Sequence, residues 1–432
     1  MNAHRTHRKW PWLILLLPVL LLLAVWLWQW FSNPGAELKA PPPADPQAQR
    51  VRGEYLARAG NCMACHTARG GAALAGGRVI ATPFGNLVSP NITPDAQSGI
   101  GNWSADDFWR AMHNGRGRDG RFLYPAFPYP NYTRVTREDS DAIFAWLQSL
   151  PPVQRENQPH ALRFPYNQRP LLAFWRALYF RPGVWQDVAG QDAQLNRGAY
   201  LVQGLGHCNA CHASRDVLGG VALTGELSGG MIPMLNWYAP ALSGRAEGLL
   251  NWEAASLHDL LKTGVSAQGA VFGPMSEVVR SSLQHLRDED IAAMVAYMKS
   301  LPPTEPAQVR RGRIRAEDVE TATRLGAQLY EKHCVDCHRA DGRGQPPDYP
   351  PLVGNGSVMT PSAVNAIRIV LNGGFPPSTQ GNPRPAGMPP FGPFLSDAEV
   401  AAVVTYIRTA WGNKGGLVGE GEVASFRSVP ID

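Results

Sequence analysis

The sequence predicts an all-α protein: three small helical domains in tandem behind an N-terminal membrane-spanning helix. Three observations carry this reading. A long apolar stretch opens the chain. The pentapeptide Cys-x-x-Cys-His occurs three times and uses all six cysteines. Each pentapeptide lies between an opening and a closing helical segment of repeated wording.

The apolar stretch runs from Trp12 to Phe31, interrupted only by Pro18 and Gln29. A membrane-spanning helix needs roughly 20 apolar residues. Tryptophans cluster near its ends (Trp10, Trp12, Trp26, Trp28 and Trp30), as interfacial aromatics do. His4, Arg5, His7, Arg8 and Lys9 precede it, so the N-terminus is expected in the cytoplasm and the remainder exported. The competing reading is a cleaved signal peptide, whose apolar core is usually shorter. Pro41 after Ala40 and Pro34 before Ala36 disfavour the available cleavage points, so an uncleaved, single-pass anchor is expected.

The repeats open on Arg52–Leu56, Arg197–Leu201 and Leu325–Tyr330, and close on Arg137–Leu147, Arg287–Met298 and Ser396–Ile407. Acidic residues in the first turn of each closing segment suit a helix N-terminus, and Ser396 with Glu399 reads as a capping box. Two closing segments stop at the same text, Ser149–Pro152 and Ser300–Pro303, because proline cannot continue a helix. The irregular spacing implies separate beads and no solenoid. The expected division is residues 1–46 for basic stub, anchor and Pro-rich spacer; 47–152, 191–303 and 319–412 for the domains; 153–190 and 304–318 for linkers; and 413–432 for a loose Gly-rich tail. Aromatic residues such as Trp175 and Tyr179 should keep the first linker partly ordered.

A net charge of +5 without a Lys/Arg run offers no nucleic-acid footprint. The three motifs are Cys62, Cys65 and His66; Cys208, Cys211 and His212; and Cys334, Cys337 and His338. Two thiols at this spacing suit thioether bonds to the two vinyl groups of one haem, and the adjacent histidine then supplies the proximal nitrogen. A disulfide pair would not require histidine at the next position three times, and a four-Cys zinc site would have to join pairs more than about a hundred residues apart. Three covalently bound haem c groups are therefore expected. Bacterial c-type maturation on the periplasmic face agrees with the orientation of the anchor.

A methionine as sixth ligand raises the potential and suits electron transfer. Met275 in Phe272–Met275 and Met388 in Gly387–Phe391 lie on Gly/Pro loops at matching places, and both are expected ligands. The equivalent first loop, Leu123–Tyr129, carries Phe127, which cannot bind iron. Met112 is the expected substitute, with His113 or a vacant position as alternatives. Asn91 and Trp103, and Trp252 in the second domain, are candidate partners of haem propionates. His207 and His333 are expected to face solvent, and Met231, Met234 and Met359 to pack.

The motifs, with Asn91–Asp95, Gly99–Trp103, Leu123–Ala126 and Gly387–Phe391, resemble the three-haem cytochrome c subunit of bacterial membrane-bound dehydrogenases over nearly the whole exported length. That family acts in alcohol, gluconate, sorbitol and aldehyde oxidation. The resemblance implies a separate catalytic subunit of quinoprotein, flavin or molybdenum type, and electron delivery to ubiquinone or another chain acceptor at the cytoplasmic membrane. It also marks Phe127 as a departure, since many members have methionine there. A free-standing electron carrier, or a peroxidase-like enzyme using an open first iron, are the rival expectations.

Overall fold

The structure is a computed structural model that describes residues 10–32, 35, 38–221, 227–243, 252–302 and 316–429. The basic cluster before Trp10, most of the second linker and the side chains of Trp10 and Trp12 lie outside the described residues. Helix α1 spans Trp10–Phe31 and carries no charged residue. Among the described residues, whose side chains begin at Leu17 in this helix, no helix is long and apolar enough to cross a membrane.

The first domain contains α2 (Pro46–Ala59), α3 (Cys62–His66), strands β1 (Val79–Thr82) and β2 (Gly85–Val88), α4 (Ala105–Asn114), α5 (Tyr129–Tyr132) and α6 (Arg137–Gln148). Strand β3 (Ala161–Leu162) and α7 (Leu172–Tyr179) follow. The second domain runs through α8 (Ala193–Tyr200), α9 (Asn209–His212), β4 (Gly230–Ile232), β5 (Trp237–Ala239), α10 (Ala254–Thr263), β6 (Val265–Ser266), β7 (Gly269–Ala270), α11 (Pro274–Ser281) and α12 (Asp288–Ser300). The third has α13 (Ala316–His333), α14 (Val335–His338), α15 (Gly356–Met359), α16 (Val364–Asn372) and α17 (Asp397–Thr409), and α18 (Glu420–Arg427) follows. The described chain is mostly helical, as expected. Its strands form only small antiparallel ribbons, β1-β2-β3, β4-β5 and β6-β7.

Local sequence sets the helix ends. Asp45 caps α2 through the amides of Gln47 and Ala48, with Pro46 at the first position. Ser104 with Asp107, and Ser396 with Glu399, complete capping boxes on α4 and α17. In each domain the first and last helices cross at a glycine. A Cβ on Gly53, Gly198 or Gly326 would lie 1.9, 2.0 or 2.2 Å from the carbonyl oxygen of Ala142, Ala293 or Ala402. No side chain fits there, so the backbones touch. The second domain has one more residue between this glycine and its first cysteine than the first domain does. The π-turn Leu201–Leu205 takes it up.

The beads are not independent. One apolar core runs through the first two domains, from Leu56 and Ile143 to Leu201 and Met294. Above it lies a reciprocal polar exchange. Arg52 pairs with Asp139 at 2.8 Å within the first domain, and Arg197 with Asp290 at 2.7 Å within the second. Tyr55 then donates across to Asp290 at 2.5 Å, and Tyr200 donates back to Asp139 at 2.6 Å. The two domains are thus related by a pseudo-two-fold exchange. The third domain has Leu325 and Gln328 where these arginines and tyrosines stand, and its core is separate. It docks differently. Asn365 and the backbone of Tyr238 exchange two hydrogen bonds of 2.9 and 2.8 Å. The Arg368 guanidinium lies over Trp237 at 4.6 Å and donates to the carbonyl of Asn236 at 3.0 Å.

Two expectations are corrected. Residues 153–162 do not begin a linker but complete the first domain: the Val153 carbonyl accepts from Asn91, Arg155 binds the Gly76 carbonyl, and β3 extends the ribbon. Nor is the tail loose. Asn413 bonds the carbonyls of Leu352 and Ile407, Val423 is fully buried, and Arg427 reaches Asp397 and the Leu395 carbonyl. Helix α1 is also tied down. The buried Arg116 donates to the carbonyls of Gln29, Trp30 and Ser32 at its C-terminal end, where a cation is favoured.

Gly198→Ala is expected to destabilise the fused pair by about 3 kcal/mol, since the overpacked contact is backbone on backbone; a thermal melt shifted by no more than a surface substitution's effect would contradict this. Burial would raise the Asp290 carboxyl, but the bonds from Arg197 and Tyr55 overcome that and hold it at about 2. A depressed carboxyl stabilises above its unfolded value near ~4 and loses that contribution as pH falls toward the folded value. Asp290→Asn should therefore weaken the fold at neutral pH and flatten its acid-unfolding limb between about pH 4 and 2, measured by circular dichroism.

Candidate haem attachment sites

Each pentapeptide forms one helical turn, α3, α9 or α14, entered from the first helix of its domain. None of the six cysteines is in a disulfide. The two thiols of each pair are not equivalent. The leading cysteines, Cys62, Cys208 and Cys334, pack against the hydrophobic cores. Burial pushes their thiols up to about 12, so they sit in apolar surroundings as a porphyrin edge requires. The second cysteines do not join those cores. By exposure only Cys65 stands apart: it is exposed, and the other five cysteines are half-buried. Cys337 sits on α14 directly before His338, one turn from Cys334, so the third pair has one thiol on the core and one beside it. In all three turns the leading thiol, and not the second, packs on the core.

The three histidines share one partner type. His66 Nδ1 lies 2.8 Å from the Pro90 carbonyl, His212 Nδ1 2.7 Å from that of Pro240, and His338 Nδ1 3.0 Å from that of Pro350. A carbonyl oxygen only accepts, so Nδ1 must carry the proton and Nε2 the lone pair. Burial lowers all three histidines below the ordinary imidazole range and keeps them neutral. A neutral imidazole, oriented through its outer N–H and offering Nε2, is the form that ligates iron. The residues present thus fit a covalently held haem in each domain. These prolines escape sequence reading because they lie at unequal separations of 24, 28 and 12 residues from their histidines.

Arginines also brace the turns. Arg78 donates to the Ala64 carbonyl at 2.6 Å, and Arg215 to the equivalent Ala210 carbonyl at 2.6 Å. Arg78 continues across the domain boundary to Glu277, two residues past Met275, at 2.8 Å on its second branch. Asn131 of the first domain likewise reaches Asn209, inside the second motif, at 2.8 Å. The first and second sites are therefore held against each other by side chains from both domains.

Met275 sits in the first turn of α11, after Gly273 and Pro274, half-buried against the shared core. Met388 forms an isolated bridge with Gly374 and packs on the third core. Met112 is buried within α4 among core residues. Its neighbour His113 is also buried, with its ring stacked on Trp109 at 4.4 Å and its Nδ1 on the Thr133 carbonyl at 2.8 Å. The position Cβ of Gly35 would take is 2.6 Å from its Nε2, so His113 faces the segment after α1.

Asn91 is a candidate propionate partner by sequence, and the structure corrects this. Its amide donates to Ser98 and the Val153 carbonyl, and its oxygen accepts from Thr93, so it closes the loop internally. Trp103 and Trp252 pack on the shared core. His207 does not face solvent: it is half-buried, bonded to the Leu205 carbonyl and edge-on to Tyr132 at 5.5 Å. Asn91→Ala should cost about 1–3 kcal/mol through the buried partners it abandons. The absorption bands of the purified chain should stay unchanged; altered bands would return Asn91 to a cofactor role.

The cytochrome c family model matches residues 51–151, 195–302 and 323–411. The chain is 41% identical over 392 residues to the gluconate 2-dehydrogenase cytochrome c subunit of Pantoea cypripedii, covering 86% of this chain and 88% of that one. It is 37% identical over 397 residues to the alcohol dehydrogenase (quinone) cytochrome c subunit of Gluconobacter oxydans (strain 621H), covering 87% and 82%. The fructose dehydrogenase cytochrome subunit of Gluconobacter japonicus is 34% identical over 427 residues, covering 92% and 86%. With three matched regions, each built on one Cys-x-x-Cys-His turn, this chain belongs to the cytochrome c family.

Proposed function

We propose that the chain is the electron-transfer subunit of a membrane-bound dehydrogenase, carrying three haem c groups and passing electrons from a catalytic subunit to ubiquinone or another membrane acceptor. The observation that carries this is the threefold recurrence of a half-buried, neutral histidine with Nδ1 fixed on a proline carbonyl beside two free thiols. Haem c, when bound, supplies reversible one-electron chemistry at iron. Cys62 with Cys65, Cys208 with Cys211, and Cys334 with Cys337 would hold it covalently. His66, His212 and His338 would ligate through Nε2. Met275 and Met388 are the proposed sixth ligands in the second and third domains. The proline carbonyls keep the proton on Nδ1, which preserves ring orientation and ligand basicity. The relatives named for gluconate, alcohol and fructose oxidation support a dehydrogenase partner, and the word quinone in one of those names supports the acceptor.

Membrane attachment is part of the same proposal. At 1.5 Å per residue the 22 residues of α1 extend about 33 Å, against a hydrocarbon core of ~30 Å. Leu17, Val19, Leu20, Leu21 and Leu22 are exposed along it. The clamp by Arg116 would hold the first domain at the membrane surface, and the charge before Trp10 would place the domains on the periplasmic side.

Full-length chain solubilised in mild detergent is expected to co-purify with a larger catalytic subunit and to be reduced on adding that subunit's substrate. A lone chain that no co-expressed dehydrogenase reduces would contradict the proposal. Removing residues 1–32 should move the chain from the membrane to the soluble periplasmic fraction; retention in washed membranes would refute the anchor.

A further inference from the structure

The repeats share a register that compares their ligand loops residue by residue. After α4, α10 and α16 the chain turns through Gly115, Gly264 and Gly373, each with positive φ (58, 87 and 65°). Three residues before each glycine stand Met112, Leu261 and Val370, all at least nine-tenths buried. After the glycine comes a short antiparallel contact, Arg116 with Phe122 in the first domain and Val265 with Ala270 in the second. Five residues beyond Phe122 stands Phe127, and five residues beyond Ala270 stands Met275. In the third domain Met388 itself makes the contact, with Gly374. Phe127 therefore holds the loop position of Met275, while Met388 stands at the contact itself.

We infer that the haem of the first domain has no protein ligand on its distal side, and that this chain binds a small, uncharged π-acceptor such as carbon monoxide or nitric oxide there. The inference rests on the haem-bearing reading above. A phenyl ring has no lone pair to give. Met112 does not replace it, because Leu261 and Val370 fill the same helical slot as packing residues in domains that keep a loop methionine. His113 does not either, because its ring is stacked on Trp109 and its Nε2 faces Gly35. Phe127 packs on the shared apolar core. Its ring lies beside Tyr132, with centroids 5.3 Å apart, and the Tyr132 hydroxyl is spent on the Gly60 carbonyl at 2.8 Å. Distal polarity and donor supply govern which ligands a haem accepts. An apolar distal side without a free donor favours a neutral diatomic over an anion.

The test is a carbon monoxide titration of the dithionite-reduced, detergent-solubilised full chain, with haem counted independently as pyridine haemochrome. Three haems and one carbon monoxide per chain are expected. Phe127→Met should abolish uptake, and Met112→Ala should leave it at one. Three haems with no uptake by the wild-type chain would overturn the inference alone. So would uptake appearing only in Met112→Ala, which would assign Met112 as ligand, or uptake unchanged in Phe127→Met, which would move the open site elsewhere. Fewer than three haems would instead overturn the reading beneath it.

Discussion

Everything in this structure hangs on a backbone contact made three times. Gly53, Gly198 and Gly326 each lie against the carbonyl of an alanine in the closing helix of the same domain. Because no Cβ intervenes, the two helices cross closely. The cysteine turn that follows the first helix is thereby fixed relative to the rest of the domain. The first cysteine lies nine, ten and eight residues after the glycine in the three domains. The variation is absorbed locally, in the second domain by a π-turn. The glycine contact is the constant, and the cysteine turn is built outward from it.

On this shared scaffold the domains diverge in how they meet. Arg and Tyr flank the glycine in the first two copies, and each tyrosine crosses to the other copy's aspartate. The pair then shares a single apolar core, and residues of each reach into the other's motif region. The third copy, with Leu325 and Gln328, cannot take part in that exchange. It leans on the β4-β5 ribbon through Asn365 and Arg368. The arginine and tyrosine of the fused pair are thus both missing from the third domain, whose core is separate. The loops proposed to carry the sixth ligands diverge independently, through Phe127.

The cysteine turns are legible in the sequence because thioether attachment demands neighbours in the chain: Cys334, Cys337 and His338 fall within one pentapeptide. What the pentapeptide does not reveal is that Cys334 packs on the core while Cys337 does not. The terminal helices are legible for a similar reason, since caps and apolar spacing are local. The rest is non-local. The proline carbonyls that orient His66, His212 and His338 lie in loops of different length. Residues 153–162 read as linker, yet Val153 and Arg155 satisfy buried groups far upstream. The Gly-rich tail reads as loose, yet Val423 and Arg427 close the third core. Asn91 reads as a propionate partner because an amide beside an aromatic loop suits one; its hydrogen bonds are all internal.

The central claim is that three glycine-crossed units each carry one covalent haem. Intact-mass spectrometry of the chain under denaturing conditions tests it most directly. A single species retaining three haem masses is predicted, falling to two when both cysteines of any one motif are replaced by alanine. A chain that sheds its haem on denaturation, or retains fewer than three, would contradict it.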